Sequence, residues 1–187
     1  ILQVQQPSLL NDKQEYEVLG TDISCNLGST NIPNLMKSPD FGKSVETMVR
    51  ALTYVTDHSS IDAVPTIKNG NDQAHTIGLG GMGLHTMFAT NQMHYGSPES
   101  IEFTDIYFML LNYYTLAASN KIAKERGEAF VNFNKSSYYT GEYFDAYTDS
   151  DVVFQSEKVK HIFEGIKVPT KEDWLQLKQA VRESGLY

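Results

Sequence analysis

A long apolar segment between Ser97-Pro98 and Gly127 constrains the fold more than any other feature of the sequence. Serine caps helix N-termini, proline fits the first turn, and a glycine after the last turn can take the left-handed conformation that ends a helix. Apolar side chains, Phe103 and Leu110 among them, lie nearly all round the intervening turns. A helix of that composition belongs in a core, so the sequence predicts a buried helix over residues 98–126.

Length and charge exclude several classes of protein. The 187 residues, of which 41% are apolar, suit one sizeable core. The net charge is −8 without any cluster of Lys and Arg, so no nucleic acid polymer is expected as a partner. No apolar run approaches the roughly 20 residues that cross a bilayer, so no membrane is expected as a partner either.

The cysteine content and the first residues indicate the setting of the chain. A single cysteine excludes an internal disulfide framework and fits a reducing, cytoplasmic location. The sequence begins at Ile1 without an initiator Met and without the basic and then apolar regions of a signal peptide. We therefore expect a piece of a longer cytoplasmic protein.

Capping signals and apolar periodicity predict the other elements, which follow one another without a linker. Ser38-Pro39 indicates a helix start with Ser38 as the cap and Pro39 at the first position, and Thr170 with Asp173 forms a variant of the capping box. The predicted elements are a strand at 22–27, helices at 40–57, 75–92, 151–164 and 171–184, a loop at 58–75 with room for a short strand near 64–67, and an aromatic loop at 128–149 with a helical turn near 138–147.

Two patterns that suggest a cofactor or a metal fail on their context. Gly78, Gly80 and Gly83 fit the spacing GxGxxG, but a dinucleotide site needs a buried apolar strand before the first glycine, and residues 71–76 are polar. A glycine-faced helix that packs closely on a neighbour is the better interpretation. The five histidines lack metal-ligand spacing, so neither a cofactor site nor a metal site is predicted in this chain.

Cys25 is the one candidate for a chemically active residue. A lone cysteine is most often a small buried apolar residue. Cys25, however, lies on the predicted strand and is followed by Asn26, Leu27, Gly28 and Ser29. These small neighbours leave room for a second chain segment or a substrate, so both interpretations of the thiol stay open on this pattern alone.

The string around Cys25 resembles the conserved-cysteine strand of class I ribonucleotide reductase large subunits, in their class Ib form. Further segments resemble that family in the same order along almost the whole chain. The matching segments are Asp22-Ile23-Ser24-Cys25-Asn26-Leu27-Gly28-Ser29, Asn31-Ile32, Thr76-Ile77-Gly78-Leu79-Gly80, Met82-Gly83-Leu84-His85, Tyr95-Gly96-Ser97-Pro98-Glu99, Ala123-Lys124-Glu125-Arg126-Gly127-Glu128, Tyr138, Gly141-Glu142-Tyr143-Phe144, Trp174, Leu177-Lys178 and Gly185-Leu186-Tyr187.

The resemblance implies radical chemistry on a ribonucleoside diphosphate, in which the 2′ hydroxyl leaves and two cysteines supply the electrons and become a disulfide. Cys25 matches one of these two redox-active thiols, and its partner cysteine would lie upstream of Ile1. The radical cysteine and its catalytic glutamate would also precede Ile1. We therefore expect residues 1–187 alone to be inactive, since they contain one cysteine.

The resemblance also implies a fold and a set of partners. Residues 1–187 would be a single contiguous part of the catalytic domain, a helix-rich α/β fragment of a ten-stranded α/β barrel with only a few of its strands. The whole enzyme would use ATP and dNTP effectors and a tyrosyl radical from a small subunit with a dimetal centre of Mn or Fe. A thioredoxin or a glutaredoxin-like protein would be the reductant.

A second interpretation comes from another class of protein. The capping signals and the long apolar helix fit a free-standing, mostly helical interaction domain equally well, with Cys25 in its core. The ordered series of matching segments favours the reductase. In that case the apolar faces that meet the rest of the barrel would be exposed, and the fragment should self-associate or bind the remainder of the large subunit.

Overall fold

The predicted central helix is present as α5 (Pro98–Arg126) in the computed structural model, which describes residues 4–187. The Ser97 hydroxyl accepts a hydrogen bond from the Ser100 N–H, and Gly127 ends the helix with a positive φ of 70°. The predicted boundaries are therefore confirmed at both ends. Among residues 4–187, no helix is long and apolar enough to cross a membrane.

Seven other α-helices surround α5 in the described part of the chain. They are α1 (Ile32–Leu35), α2 (Phe41–His58), α3 (Pro65–Ala74), α4 (Leu84–Thr90), α6 (Ser137–Thr140), α7 (Glu157–Ile162) and α8 (Lys171–Ser184). Two short 3₁₀ helices, Phe133–Lys135 and Glu142–Tyr147, lie on either side of α6. The predicted helical turn in the aromatic loop is thus confirmed, and so is the capping box at the start of α8.

Two apolar cores lie on different parts of α5. The first joins α5 to α1, α2, α4 and α7, and the second joins α5 to α8 and to the segment Glu142–Tyr147. Val45 and Val49 of α2 are fully buried in the first core, and Trp174 of α8 is buried in the second. Because α5 is apolar on nearly every side, it can contribute side chains to both cores, as its composition predicts.

Six strands form three two-stranded sheets within residues 4–187. They are β1 (Val4–Gln6), β2 (Leu9–Leu10), β3 (Tyr16–Val18), β4 (Thr21–Asp22), β5 (Asn26–Asn31) and β6 (Ile77–Met82). β1 pairs with β4 and β2 with β3, both antiparallel, whereas β5 and β6 are parallel. The helix-rich α/β class is confirmed, and the few strands agree with the prediction for a fragment. A closed ten-stranded barrel is not formed by these six strands.

The predicted glycine-faced helix at 75–92 is wrong in its first half, where the structure has β6. Six consecutive pairs, from Asn26 with Ile77 to Asn31 with Met82, hold this strand beside β5. A Cβ atom on Gly81 would lie 3.1 Å from Ile32 Cδ1, so the absent side chains let neighbouring groups approach the strand closely. The close packing was expected, but on a helix instead of a strand.

Four other element predictions need correction. The strand predicted at 22–27 is instead β4 and β5 with an irregular connection between them, so Cys25 is not on a strand. The loop predicted at 58–75 contains α3, the helix predicted at 151–164 is limited to α7, and the cap of α2 is Asp40 instead of Ser38. The Asp40 carboxylate accepts from the Lys43 N–H at 2.8 Å, a bond that Ser38 lies too early in the chain to make.

Candidate redox site around Cys25

Cys25 lies in the irregular connection of residues 23–25 between β4 and β5, and its thiol is exposed. The interpretation of Cys25 as a core residue is therefore wrong. Residues 23–25 are not part of a strand, but the Asn26 N–H beside them donates to the Thr76 carbonyl at 3.2 Å. Neighbouring side chains add to the position that the flanking strands give this segment.

The residues on both sides of Cys25 are bound to two helices behind it. Asn26 Nδ2 donates to the Thr56 hydroxyl at 2.8 Å, and the Ser24 hydroxyl donates to Asn71 Oδ1 at 3.1 Å. Asn71 Nδ2 in turn donates to the Thr56 carbonyl at 3.0 Å. Ser24, Asn71, Thr56 and Asn26 thus form a continuous hydrogen-bonded bracket, which we call the Cys25 bracket.

The close approach of α3 to β4 brings Asn71 to the Cys25 bracket. A Cβ atom on Gly70 would lie within 2.0 Å of the Asp22 carbonyl oxygen, so any larger residue would push the helix away from the strand. Thr56 reaches the bracket because it continues the buried stripe of α2 one turn after Leu52. Glycine at 70 and a buried threonine on an apolar helix face are therefore the local causes of this arrangement.

A second polar cluster lies at the ends of α2, α3 and α5. Its central residue, Asp57, directly follows Thr56 of the Cys25 bracket. Asp57 contacts Arg126 at 2.6 Å, accepts a hydrogen bond from the Tyr187 hydroxyl at 3.0 Å, and lies 3.3 Å from His75 Nδ1. The Tyr187 ring stacks on His75, and the Arg126 guanidinium lies 4.0 Å from the centre of that ring. These contacts hold the helix end that carries Thr56.

Burial and the hydrogen bond to Asp57 affect the acidity of Tyr187. Burial is the larger cause, and together with the Asp57 carboxylate it raises the pKa of the Tyr187 phenol to about 12. The Asp57 cluster therefore holds a neutral phenol at ordinary pH, beside the 2.6 Å contact between Asp57 and Arg126.

An exposed thiol on an anchored stretch of backbone can form a disulfide with a second thiol, and the pair then gives up two electrons and two protons to an acceptor. Forming a disulfide requires another cysteine whose Cα lies roughly 4.4–6.8 Å away, and Cys25 is the only cysteine of these 187 residues. The second thiol must therefore come from another part of the protein or from another chain. In residues 4–187, no group of three or more His, Cys, Asp and Glu could hold a metal ion.

Comparison with known proteins identifies the family. The family described as ribonucleotide reductase, barrel domain, matches residues 1–187, the whole chain. The chain belongs to the ribonucleotide reductase barrel-domain family. This membership replaces the alternative of an unrelated helical interaction domain.

Relatives in this family are large subunits of the reductase. The ribonucleoside-diphosphate reductase subunit alpha of Bacillus subtilis is 42% identical over all 187 residues, and the chain covers 27% of its length. The protein of the same name from Mycoplasma pneumoniae is 38% identical and is covered to 26%. The Helicobacter pylori protein of that name is 29% identical over 89% of the chain. The chain thus spans about a quarter of the length of the two more similar relatives.

The sequence singled out Cys25 but none of the residues that hold it. Thr56 follows Val45, Val49 and Leu52 on the buried face of α2. A polar residue at such a core position needs a hydrogen-bond partner, and this is the signal that could have identified Thr56. Asn71 gave no comparable signal because its segment was predicted to be a loop.

Proposed function

We propose that this chain is part of a ribonucleoside-diphosphate reductase large subunit and that Cys25 is one of its two reducing thiols. Family membership over the whole chain supports the activity, and the exposed thiol on an anchored backbone supports the role of Cys25. The exposed position carries the residue assignment, since a thiol packed inside residues 1–187, which contain no other cysteine, could not meet a second thiol.

The proposed overall reaction balances without any other redox partner. A ribonucleoside diphosphate and two thiols give a 2′-deoxyribonucleoside diphosphate, one disulfide and water. The two thiols lose two electrons and two protons, the 2′ carbon is reduced, and the 2′ hydroxyl leaves as water. Cys25 supplies one sulfur of the disulfide, and a thioredoxin or a glutaredoxin-like protein would restore both thiols by exchange.

The rest of the large subunit is the first partner in this proposal. Leu27 of β5 is 78% exposed, and Val153 is 72% exposed. Parallel strands are normally covered on both faces, so the β5–β6 pair with an exposed leucine fits a sheet that other strands extend and cover. We propose that these strands contribute to a ten-stranded α/β barrel of the whole subunit.

The remaining partners follow from the same proposal. A small subunit with a dimetal centre of Mn or Fe would supply the tyrosyl radical that starts the reaction, and ATP or dNTP effectors would bind elsewhere on the large subunit. Residues 1–187 would supply the reducing thiol to this assembly.

The proposal is tested on the full-length large subunit with its small subunit and a ribonucleoside diphosphate. After one turnover without external reductant, mass spectrometry should find Cys25 in a disulfide with a second cysteine of the subunit. Cys25→Ser should abolish multiple turnover with the external reductant, whereas Ser59→Ala, at an exposed serine after α2, should not. Sustained turnover by Cys25→Ser, with the disulfide formed between other cysteines, would refute the role of Cys25.

A further inference from the structure

We propose that Thr56 and Asn71 are positioning residues that set where the Cys25 thiol stands during the redox step. The inference rests on the proposed function, because it gives these residues a role only if Cys25 is a reducing thiol. Neither residue needs to touch the substrate, since both act through the neighbours of Cys25.

The hydrogen bonds of the Cys25 bracket leave little freedom on either side of the thiol. Asn71 uses both polar atoms of its side chain, accepting from Ser24 and donating to the Thr56 carbonyl. Thr56 accepts from Asn26 through its hydroxyl and from Asn71 through its carbonyl. The residues before and after Cys25 are thus bound to one continuous network.

The network is anchored on buried side chains of two helices. Thr56 is fully buried and Asn71 is 4% exposed, so neither side chain can exchange its partners for water without local opening. Thr56 lies next to Asp57, whose ion pair with Arg126 ties the end of α2 to the end of α5. Cys25 itself is exposed and lies outside any helix or strand. Helices α2 and α3 therefore hold the side chains on both sides of Cys25, in addition to the backbone pairing of β5 that begins at Asn26.

The chemistry gives such positioning a measurable effect. Two sulfur atoms must come to about 2 Å with a narrow range of dihedral angles, and strain in either state changes the reduction potential of the pair. A misplacement of about 1 Å by residues away from the reacting atoms can cost roughly a hundredfold in rate. Loosening the Cys25 bracket should therefore slow disulfide formation and shift its potential, even where the subunit remains folded.

The test uses three variants of the full-length subunit and one matched control. Thr56→Val keeps the shape of the side chain but removes the acceptor for Asn26, Thr56→Ser keeps the hydroxyl, and Asn71→Ala removes both bonds of that side chain. The control is Thr53→Val, because Thr53 is 5% exposed on the same helix and makes no hydrogen bond to Ser24 or Asn26. Each variant is corrected for its folded fraction before comparison.

Two quantities are measured: the single-turnover rate of disulfide formation at Cys25 without external reductant, and the midpoint potential of that disulfide. We expect Thr56→Val and Asn71→Ala to slow the rate roughly tenfold or more and to move the potential, in line with the cost of misplaced reacting groups. Thr56→Ser should restore both values, and Thr53→Val should leave both unchanged. A merely structural role would lower the folded fraction and leave the potential in place.

The outcomes separate this inference from the proposed function. If Thr56→Val and Asn71→Ala match Thr53→Val in rate and in potential, the positioning role is wrong while Cys25 keeps its assignment. If Cys25→Ser supports turnover as well as the wild type, the assignment of Cys25 is wrong and the positioning role falls with it. If Asn71→Ala fails to fold, Ser24→Ala removes the same Ser24–Asn71 hydrogen bond at a less buried residue. Its rate and potential are then compared with those of Thr53→Val.

Discussion

Gly78 of β6 lies directly beside Cys25: a Cβ atom on Gly78 would stand 3.4 Å from the cysteine Sγ and 2.7 Å from Leu27 Cδ2. The first distance is already a full contact, and the second can be relieved because the Leu27 side chain is 78% exposed. Glycine at this position therefore leaves the thiol free space on the side of β6.

Gly78→Ala should keep the fold but crowd the thiol. The added methyl group would displace the exposed Leu27 side chain and fill the space beside Sγ, so alkylation of Cys25, the single cysteine of residues 1–187, should slow severalfold in this chain. Gly80→Ala is the control on the same strand, since its Cβ atom would stand 3.7 Å from the nearest atom, Ser29 Oγ. Equal alkylation rates in the two variants would contradict the prediction.

The raised pKa of Tyr187 predicts a loss of stability at alkaline pH. The folded pKa of about 12 exceeds the ordinary value of 10, mainly because of burial. A raised pKa means that folding favours the neutral phenol. The stabilisation of the folded state by this phenol is therefore complete below about pH 10 and is lost as the pH rises towards 12. Thermal unfolding midpoints should therefore fall more steeply over this window in the wild type than in Tyr187→Phe.

The control for that comparison is Tyr95→Phe, which removes a tyrosine with 76% of its surface exposed. This variant should follow the wild type throughout the alkaline window. Parallel curves for Tyr187→Phe and the wild type would show that the Tyr187 phenol does not link stability to pH.

The sequence predicted those helices well whose ends carry local signals. Pro98–Arg126 and Lys171–Ser184 were placed to within a residue, because a capping side chain and a terminal glycine act within one turn of the helix end. Family membership was also accessible, because the matching segments are continuous in the sequence.

The sequence misled where tertiary pairing decides the conformation. Residues 77–82 carry three glycines, which weaken helix and strand alike, and only the pairing with Asn26–Asn31 makes them a strand. The Cys25 bracket was equally hidden, since Asn26 and Thr56 are 30 residues apart and Ser24 and Asn71 are 47 apart. Neither the glycine pattern nor the bracket follows from local propensity.

Glu46 predicts a loss of stability in acid. Hydrogen bonds from Lys121 and then Arg50 lower the pKa of this carboxylate to about 2, well below its usual value of 4.5. A lowered pKa means that folding favours the ionised carboxylate. The stabilisation of the folded state by Glu46 is therefore complete above about pH 4.5 and is lost as the pH falls towards 2. Glu46→Gln should therefore destabilise the contact between α2 and α5 by about 1 kcal/mol at neutral pH. The variant should also lose less stability than the wild type as the pH falls.

Hydrogen exchange of α2 peptides in the full-length subunit measures the effect of Glu46→Gln. Because the partner Lys121 side chain is 53% exposed, the effect should shrink with added salt. Glu157→Gln is the control, as this side chain is 89% exposed and meets Lys160 only at 3.4 Å. An equal response from both variants would mean that the Glu46 network does not bind the two helices.

Asn120 should hold the end of α8 against α5. Its Nδ2 group donates to the Ala180 carbonyl at 3.0 Å and to the Gly185 carbonyl at 2.8 Å, and the residue is 4% exposed. Asn120→Ala leaves both carbonyls without this donor, and an unsatisfied buried polar group costs about 1–3 kcal/mol. Amides of Lys171–Ser184 should therefore exchange faster in this variant.

The matched control for Asn120 is Gln179→Ala, because Gln179 is exposed on α8 and its side chain bonds only to Glu183 at 2.7 Å. That variant loses a solvated surface contact, whose contribution is small because water replaces it, and it should leave exchange in α8 unchanged. In Asn120→Ala, by contrast, the second core should loosen together with the end of α8, since Trp174 and Val181 of α8 pack in that core. If the two variants exchange alike, the apolar contacts of α8 alone hold it on α5, and the two Asn120 hydrogen bonds are dispensable.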